Sequence, residues 1–192
     1  MLEDQIAFLV EADKLNTVLR RNYTVTADRR ENSAEHSWHV ALTAMLLAEY
    51  SNEPVNVDRV VRMLLVHDIV EIDAGDTFIY DSVANTSKEA REQEAAKRLF
   101  GLLPESQANE LHELWDEFEA RATPEAKFAE AVDRFVAVLH NYATHGRGWK
   151  ENGITRSRVL AVNERVAEGS KTLWAKIQEM TQEAVNQREL AE

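Results

Sequence analysis

The sequence has no cysteine, three prolines and six glycines in 192 residues, and each shortage narrows what the chain can be. Without thiols there is no disulfide framework, no thiolate nucleophile and no cysteine-ligated metal, so histidines and carboxylates must carry any metal chemistry. So few chain breakers leave long stretches uninterrupted, and no period-two run is long enough to demand a sheet. An all-α fold, one compact multi-helix domain over residues 1–192, is the expectation. Cations are also in short supply: 22 Lys and Arg stand against 34 Asp and Glu, a formal net charge of −12. Such a surface repels the phosphates of a long nucleic acid. No apolar run is long enough to span a bilayer, and no charged-then-apolar segment opens the chain. Neither a membrane partner nor a secretory leader is therefore expected, and a cytoplasmic location is. A chain of this length can bury about 70% of its unfolded surface and needs no covalent staple.

Leu2, Ile6, Leu9, Leu15 and Leu19 lie near helical spacing and predict a first helix over 3–20. A polar connector, NYTVTADRR, follows and reads as a loop. Asn32 with Glu35 three residues on has the form of a capping box, with Ser33 as a rival cap, and starts a helix reaching about Tyr50. Pro54 precedes a helix over about 57–72 that Gly75 ends. Thr86 and Glu89 repeat the box ahead of SKEAREQEAAKRLFGLL, whose charges form a solvated face. Pro104 precedes the next helix, and Thr123-Pro124 starts one running to about Thr144. HGRGWKENG reads as a turn or loop, and Ile154 to about Glu189 as one or two further helices.

Four residues on separate helices carry the chemistry: His36, the pair His67-Asp68, and Asp133. Two imidazoles and two carboxylates suit a borderline or hard divalent cation that keeps positions open for water and substrate. His67-Asp68 ends the apolar run VVRMLLV, and Asp133 lies within FAEAVDRFVAVL. A carboxylate buried in such a place demands a cation or strong hydrogen bonds. The plainer alternative is partial exposure, or ion pairs with arginines such as Arg62 and Arg134. Glu71 is four residues after His67 and three after Asp68, so in a helical RMLLVHDIVEID it shares their face and can steer a water. A divalent metal lowers the pKa of bound water and stabilises oxygen charge developing at phosphorus. The pattern points to a metal-dependent phosphohydrolase with Glu71 and Asp68 as catalytic groups. Arg20, Arg21, Arg29 and Arg30 supply the local positive patch that a small phosphorylated substrate requires.

The strings RRENSAEHSWHVAL, LLVHDIVEIDAGDT and AEAVDRFVAVL also carry a resemblance. Over roughly residues 10–145 the chain resembles HD-domain phosphohydrolases, in particular their compact all-helical 5′-deoxynucleotidase branch. The resemblance implies an HD-domain fold in which His36, His67, Asp68 and Asp133 bind the metal and Glu71 orients or activates the attacking water. It implies that Arg20 contacts the substrate phosphate, with Arg29 or Arg30 as a second basic contact, that Asp76 lies at the nucleotide pocket, and that Glu117 matches an acidic residue near the substrate. Members remove the 5′-phosphate of deoxynucleoside monophosphates with a divalent transition metal, so Mn, Co, Ni, Fe or Zn is expected ahead of Mg. A homodimer is implied as well, and Leu160, Val166, Leu173, Ile177 and Met180 offer an apolar face for it. Arg21 stands where an aromatic residue is expected.

The same site could instead serve a phosphodiesterase or a guanosine-polyphosphate hydrolase. The first often needs more ligands for two metals; the second usually has consecutive acidic residues after HD, where this chain has Glu71-Ile72-Asp73. A catalytically weak nucleotide or metal sensor is a third reading, and Glu71 speaks against it, because a pure binding module needs no water-directing carboxylate. His39, three after His36, is either a further ligand or phosphate contact or, more simply, a supporting or packing histidine. His140 recurs on the face of Asp133 but about 10 Å along the helix, and reads as structural. The four tryptophans, Trp38, Trp115, Trp149 and Trp174, are core or interface anchors before they are base-stacking platforms.

Overall fold

The computed structural model describes residues 1–26, 28–81 and 84–192. Helices account for most of it: α1 (Leu2–Ala12), α2 (Ser33–Leu47), α3 (Val57–Val66), α4 (Glu71–Ala74), α5 (Lys88–Phe100), α6 (Glu105–Ala120), α7 (Pro124–Ala143), α8 (Arg147–Glu151), α9 (Arg156–Asn163), α10 (Val166–Gly169) and α11 (Lys171–Asn186). A two-stranded antiparallel ribbon, β1 (Leu19–Tyr23) with β2 (Arg30–Asn32), sits between α1 and α2. No described helix is long and apolar enough to cross a membrane.

The longest helix, α7, is the axis of the core. Thr123 Oγ1 accepts from the amide of Ala126 and Pro124 opens the first turn, as the sequence signals. Its buried Phe128, Val132 and Val136 meet α2, α3, α6, α10 and α11. The approach of α10 is close enough to require glycine: a Cβ on Gly169 would stand 2.1 Å from the carbonyl oxygen of Lys127. Val166, Leu173, Ile177 and Met180 are buried in this packing, and Leu160 is packed against it. The apolar face expected to pair two copies is therefore core, because the chain's own α7 covers it.

Several boundaries differ from the sequence reading. The first helix stops at Ala12, tightens into a 3₁₀ turn over Asp13–Thr17, and gives way to β1. Only the ends of the connector, Asn22, Tyr23 and Arg30, are strand residues, and the described residues between them are turn and bend, as the loop reading has them. Tyr23 pairs with Arg30 in its register, and the guanidinium groups of Arg30 and Arg147 lie 5.0 and 3.7 Å from the Tyr23 ring centre, which holds the end of the ribbon. The ribbon also delivers Asn32 in the extended conformation an N-cap needs, and the capping box with Glu35 forms in both directions. The expected helix over 57–72 ends at Val66. Residues 67–70 continue in tighter turns, with Ile69 N donating to Val66 O and Glu71 N to Asp68 O, before α4. Gly75, at φ +74°, then stops it. The helix after Thr86 begins at Lys88 with Ser87 as cap, one residue later than the expected box. HGRGWKENG contains α8, and three helices, α9 to α11, follow it.

Candidate metal centre

The break between α3 and α4 is what presents His67, Asp68 and Glu71 together. His67 Nδ1 donates to the carbonyl of Leu64 at 2.8 Å, which fixes the tautomer and leaves Nε2 without a proton. That atom is buried, has no hydrogen-bond partner, and lies 3.1 Å from Asp68 Oδ1 and 3.9 Å from Asp133 Oδ1. His36, fully buried in the first turn of α2, places Nε2 2.7 Å from Asp133 Oδ1, which α7 contributes. Donor atoms of His36, His67 and Asp133 all lie within 4.8 Å of one another. An orphaned imidazole lone pair facing carboxylates is the arrangement a divalent cation satisfies, and the donor set suits one.

Electrostatics divide these groups. Burial depresses His67 to about 4 despite the Asp133 charge, so its ring is neutral. For His36, burial and Arg20 act downward, but hydrogen bonds to Asp133 and Glu31 prevail and raise it to about 9. Asp133 is itself held well below the usual carboxylate range: burial opposes this and the His36 hydrogen bond outweighs it. Burial lifts Asp68 to about 6, against the pull of Arg20 and His36. Glu71 goes to about 8, through burial first and the Asp68 charge second. Ser33 Oγ donates to Glu71 Oε2 at 2.6 Å and anchors that carboxyl from the start of α2.

Arg20, from β1, reaches into the same cluster. Its Nη1 donates to Asp68 Oδ2 at 2.8 Å and lies 3.7 Å from Asp76 Oδ1, and its Nη2 is 4.0 Å from Asp133 Oδ1. Beyond these groups opens a cavity of about 600 Å³, the size of a small-molecule site. His67, Asp68, Glu71 and Asp133 line it at one end. Arg20, Arg21, Lys88, Arg121 and Arg134 add cations, and Phe78, Tyr80, Trp115 and Trp149 add aromatic surface.

Residues 12–174 match the family model for the HD domain. The chain belongs to the HD-domain family. A crystal structure of a predicted metal-dependent phosphohydrolase from Magnetospirillum magnetotacticum is similar over the whole chain and 96% of its own, at 53% identity and a TM-score of 0.94. The human and bovine proteins named 5′-deoxynucleotidase HDDC2 are 35% and 36% identical over 135 residues, 70% of this chain. The aligned region spans 65% of the human protein and 64% of the bovine one.

Within this HD domain, His36, His67, Asp68, Asp133, Glu71, Arg20 and Asp76 converge as the sequence reading has them. Three others do not. Arg29 is exposed and forms a two-point ion pair with Glu35. Arg30 is bound to Glu151 and to the Arg21 carbonyl. Glu117 pairs with Arg59 and accepts from Thr123. None of the three lines the cavity, because neighbours of opposite charge hold each of them on the outside of its element. The sequence reading also passed over Glu31, Ser33 and the far cations Lys88, Arg121 and Arg134. Glu31 and Ser33 lie inside the phrase ENSAEH that precedes the first histidine, which was the available signal. Arg134 follows Asp133 inside AEAVDRFVAVL, whereas Lys88 and Arg121 come from segments with no motif and only the fold brings them in.

Proposed function

We propose that this chain is a phosphomonoesterase that removes the 5′-phosphate from nucleoside monophosphates, deoxy ones above all, as one HD domain spanning its length. The observation that carries the reading is the meeting of His36, His67, Asp68 and Asp133 with buried Glu71 and Arg20 at the end of a nucleotide-sized cavity. The names of the human and bovine relatives support it, and so does that of the Magnetospirillum protein. His36, His67, Asp68 and Asp133 would hold the divalent ion, with Mn, Co, Ni, Fe or Zn ahead of Mg because half of the donors are imidazoles. When bound, the ion acidifies water and neutralises charge developing on the phosphoryl oxygens.

The protein's own groups do the rest. Arg20 turns one guanidinium edge to the phosphate and holds phosphorus in line for attack. Glu71 takes the proton from the attacking water, which forms the new P–O bond as the bond to the 5′-oxygen breaks; a carboxyl with a pKa near neutrality can also return that proton to the departing alcohol. Arg21, 5.8 Å from the Phe78 ring centre at the cavity wall, and Phe78 itself would flank the base, with Arg21 standing where an aromatic residue was expected. A cytoplasmic homodimer belongs to the proposal too. Its surface is relocated to α2, where Trp38, Leu42, Met45 and Leu46 form an exposed apolar stripe at helical spacing.

Phosphate release from ribo- and deoxyribonucleoside 5′-monophosphates, measured on metal-stripped protein with single metals restored, tests the reading. Metal-dependent release that disappears in Asp68→Ala is expected. No release with any metal, despite metal binding, would overturn it. Arg20→Ala should lower kcat/KM roughly tenfold with metal content retained, as loss of a charge-assisted hydrogen bond does. Unchanged kinetics would remove Arg20 from the phosphate site.

A further inference from the structure

Behind the metal centre runs a line of polar groups with no part in the reaction described above. Glu31, on β2, is buried almost completely. Its Oε2 lies 3.4 Å from His36 Nδ1 and its Oε1 3.4 Å from His140 Nδ1. Both ring nitrogens and Glu31 Oε2 are buried and have no nearer hydrogen-bond partner. His140 Nε2 in turn lies 3.0 Å from His39 Nδ1, with the two rings stacked at 4.9 Å between centres. Trp38 stacks on the outer side of His39, which is only half-buried.

A carboxylate can only accept, which sets the protons on the two ring nitrogens that face Glu31. His36 and His140 each carry hydrogen on Nδ1 and direct it to Glu31. His36 Nε2 lies 2.7 Å from Asp133 Oδ1 and donates a proton there in the metal-free chain, which a cation would displace, while His140 Nε2 and His39 Nδ1, 3.0 Å apart, hold one proton between them. The three side chains Glu31, His39 and His140 also have the residue types of a second cation site. One donor atom from each lies within 4.8 Å of the others, but His140 Nε2 and His39 Nδ1 already meet directly at 3.0 Å, the distance of a hydrogen bond between the rings.

We propose that Glu31 is a positioning residue that fixes His36 in the Nδ1-protonated tautomer and aims its Nε2 lone pair at the metal, with the His140 and His39 pair anchoring the second carboxylate oxygen. The inference rests on His36 being a ligand. An imidazole that donates its remote N–H to a carboxylate is oriented and made a stronger base, and loss of such a partner weakens metal affinity 10- to 100-fold. Glutamine at position 31 offers one acceptor and one donor, so one of the two histidines must take the wrong tautomer. Loss of His39 removes only the outermost link, and its half-exposed position makes the variant safe for folding.

The test is titration of the metal-stripped full chain with manganese, together with ¹⁵N imidazole spectra of the zinc-loaded protein and steady-state kinetics at saturating metal. For Glu31→Gln the expected result is affinity 10- to 100-fold weaker, a shifted His36 ring signal, and lower kcat. His39→Ala should weaken affinity by roughly threefold, a fraction of that effect, with one metal per chain throughout. Equal affinity and an unchanged His36 signal in Glu31→Gln would overturn the positioning role. Two metals per wild-type chain, the second lost in His39→Ala, would overturn it in favour of a second cation site. Wild-type protein that binds no metal would instead sink the phosphohydrolase reading itself.

Discussion

Glu71→Ala is expected to lower turnover by ~10² or more while leaving the metal in place. The carboxyl is buried and anchored by Ser33 on one oxygen, three residues from Asp68 but aimed from the start of α4, so it adjoins the ligands. Loss of fold will not masquerade as loss of chemistry. A carboxyl raised to about 8 in the folded chain binds its proton more tightly there than when unfolded, so stability falls as pH rises from the unfolded pKa to about 8 and the full penalty remains above. Alanine removes that liability, and the melting temperature at pH 8 should hold or rise. Full activity in the variant, with metal content unchanged, would exclude Glu71 from proton transfer.

Metal affinity should rise about 100-fold between pH 7 and pH 9 and level off above. His36, the ligand candidate raised to about 9, holds a proton at neutral pH in the metal-free chain. A cation needs the Nε2 lone pair, so below that pKa each unit of pH removes about one decade of affinity. Below about pH 6 the fall should steepen, because Asp68 then takes up a second competing proton. His67 adds nothing in this window, being neutral down to about 4. Titrations of stripped protein across this range, in buffers of different ionisation enthalpy, report both the slope and the proton released. A flat profile would mean that His36 is not protonated before the metal arrives.

The convergence of His36, His67, Asp68 and Asp133 was legible because these residues sit where a sequence has little freedom. His67-Asp68 follows an apolar run and Asp133 interrupts one, and a carboxylate in either place needs company. Asn32 with Glu35, Thr123-Pro124 and Gly75 marked helix ends through local backbone chemistry, and those ends hold in the structure. The ribbon was missed since Arg20 and Arg21 spoil any alternation of apolar and polar residues; its strands are held by cross-strand bonds and by cations on Tyr23, not by an apolar face. The C-terminal stripe was misread for the opposite reason. Its periodicity was real, but an amphipathic pattern does not say whether the chain itself or a second copy covers the face. Arg29 and Arg30 came from the charge of their segment and from the resemblance, Glu117 from the resemblance alone, and each finds an oppositely charged partner close by in the fold.

The ribbon holds two of the site's charged side chains in one irregular pairing, Leu19 opposite Asn32 and Tyr23 opposite Arg30 with a shift of register between. Arg20 is on its first strand and Glu31 on its second, so the same ladder sets how the guanidinium meets Asp68 and how the carboxylate meets His36. A strand shifted by one residue would turn both side chains to the other face. A single residue gained or lost within either strand should therefore disturb the Arg20–Asp68 and Glu31–His36 contacts together.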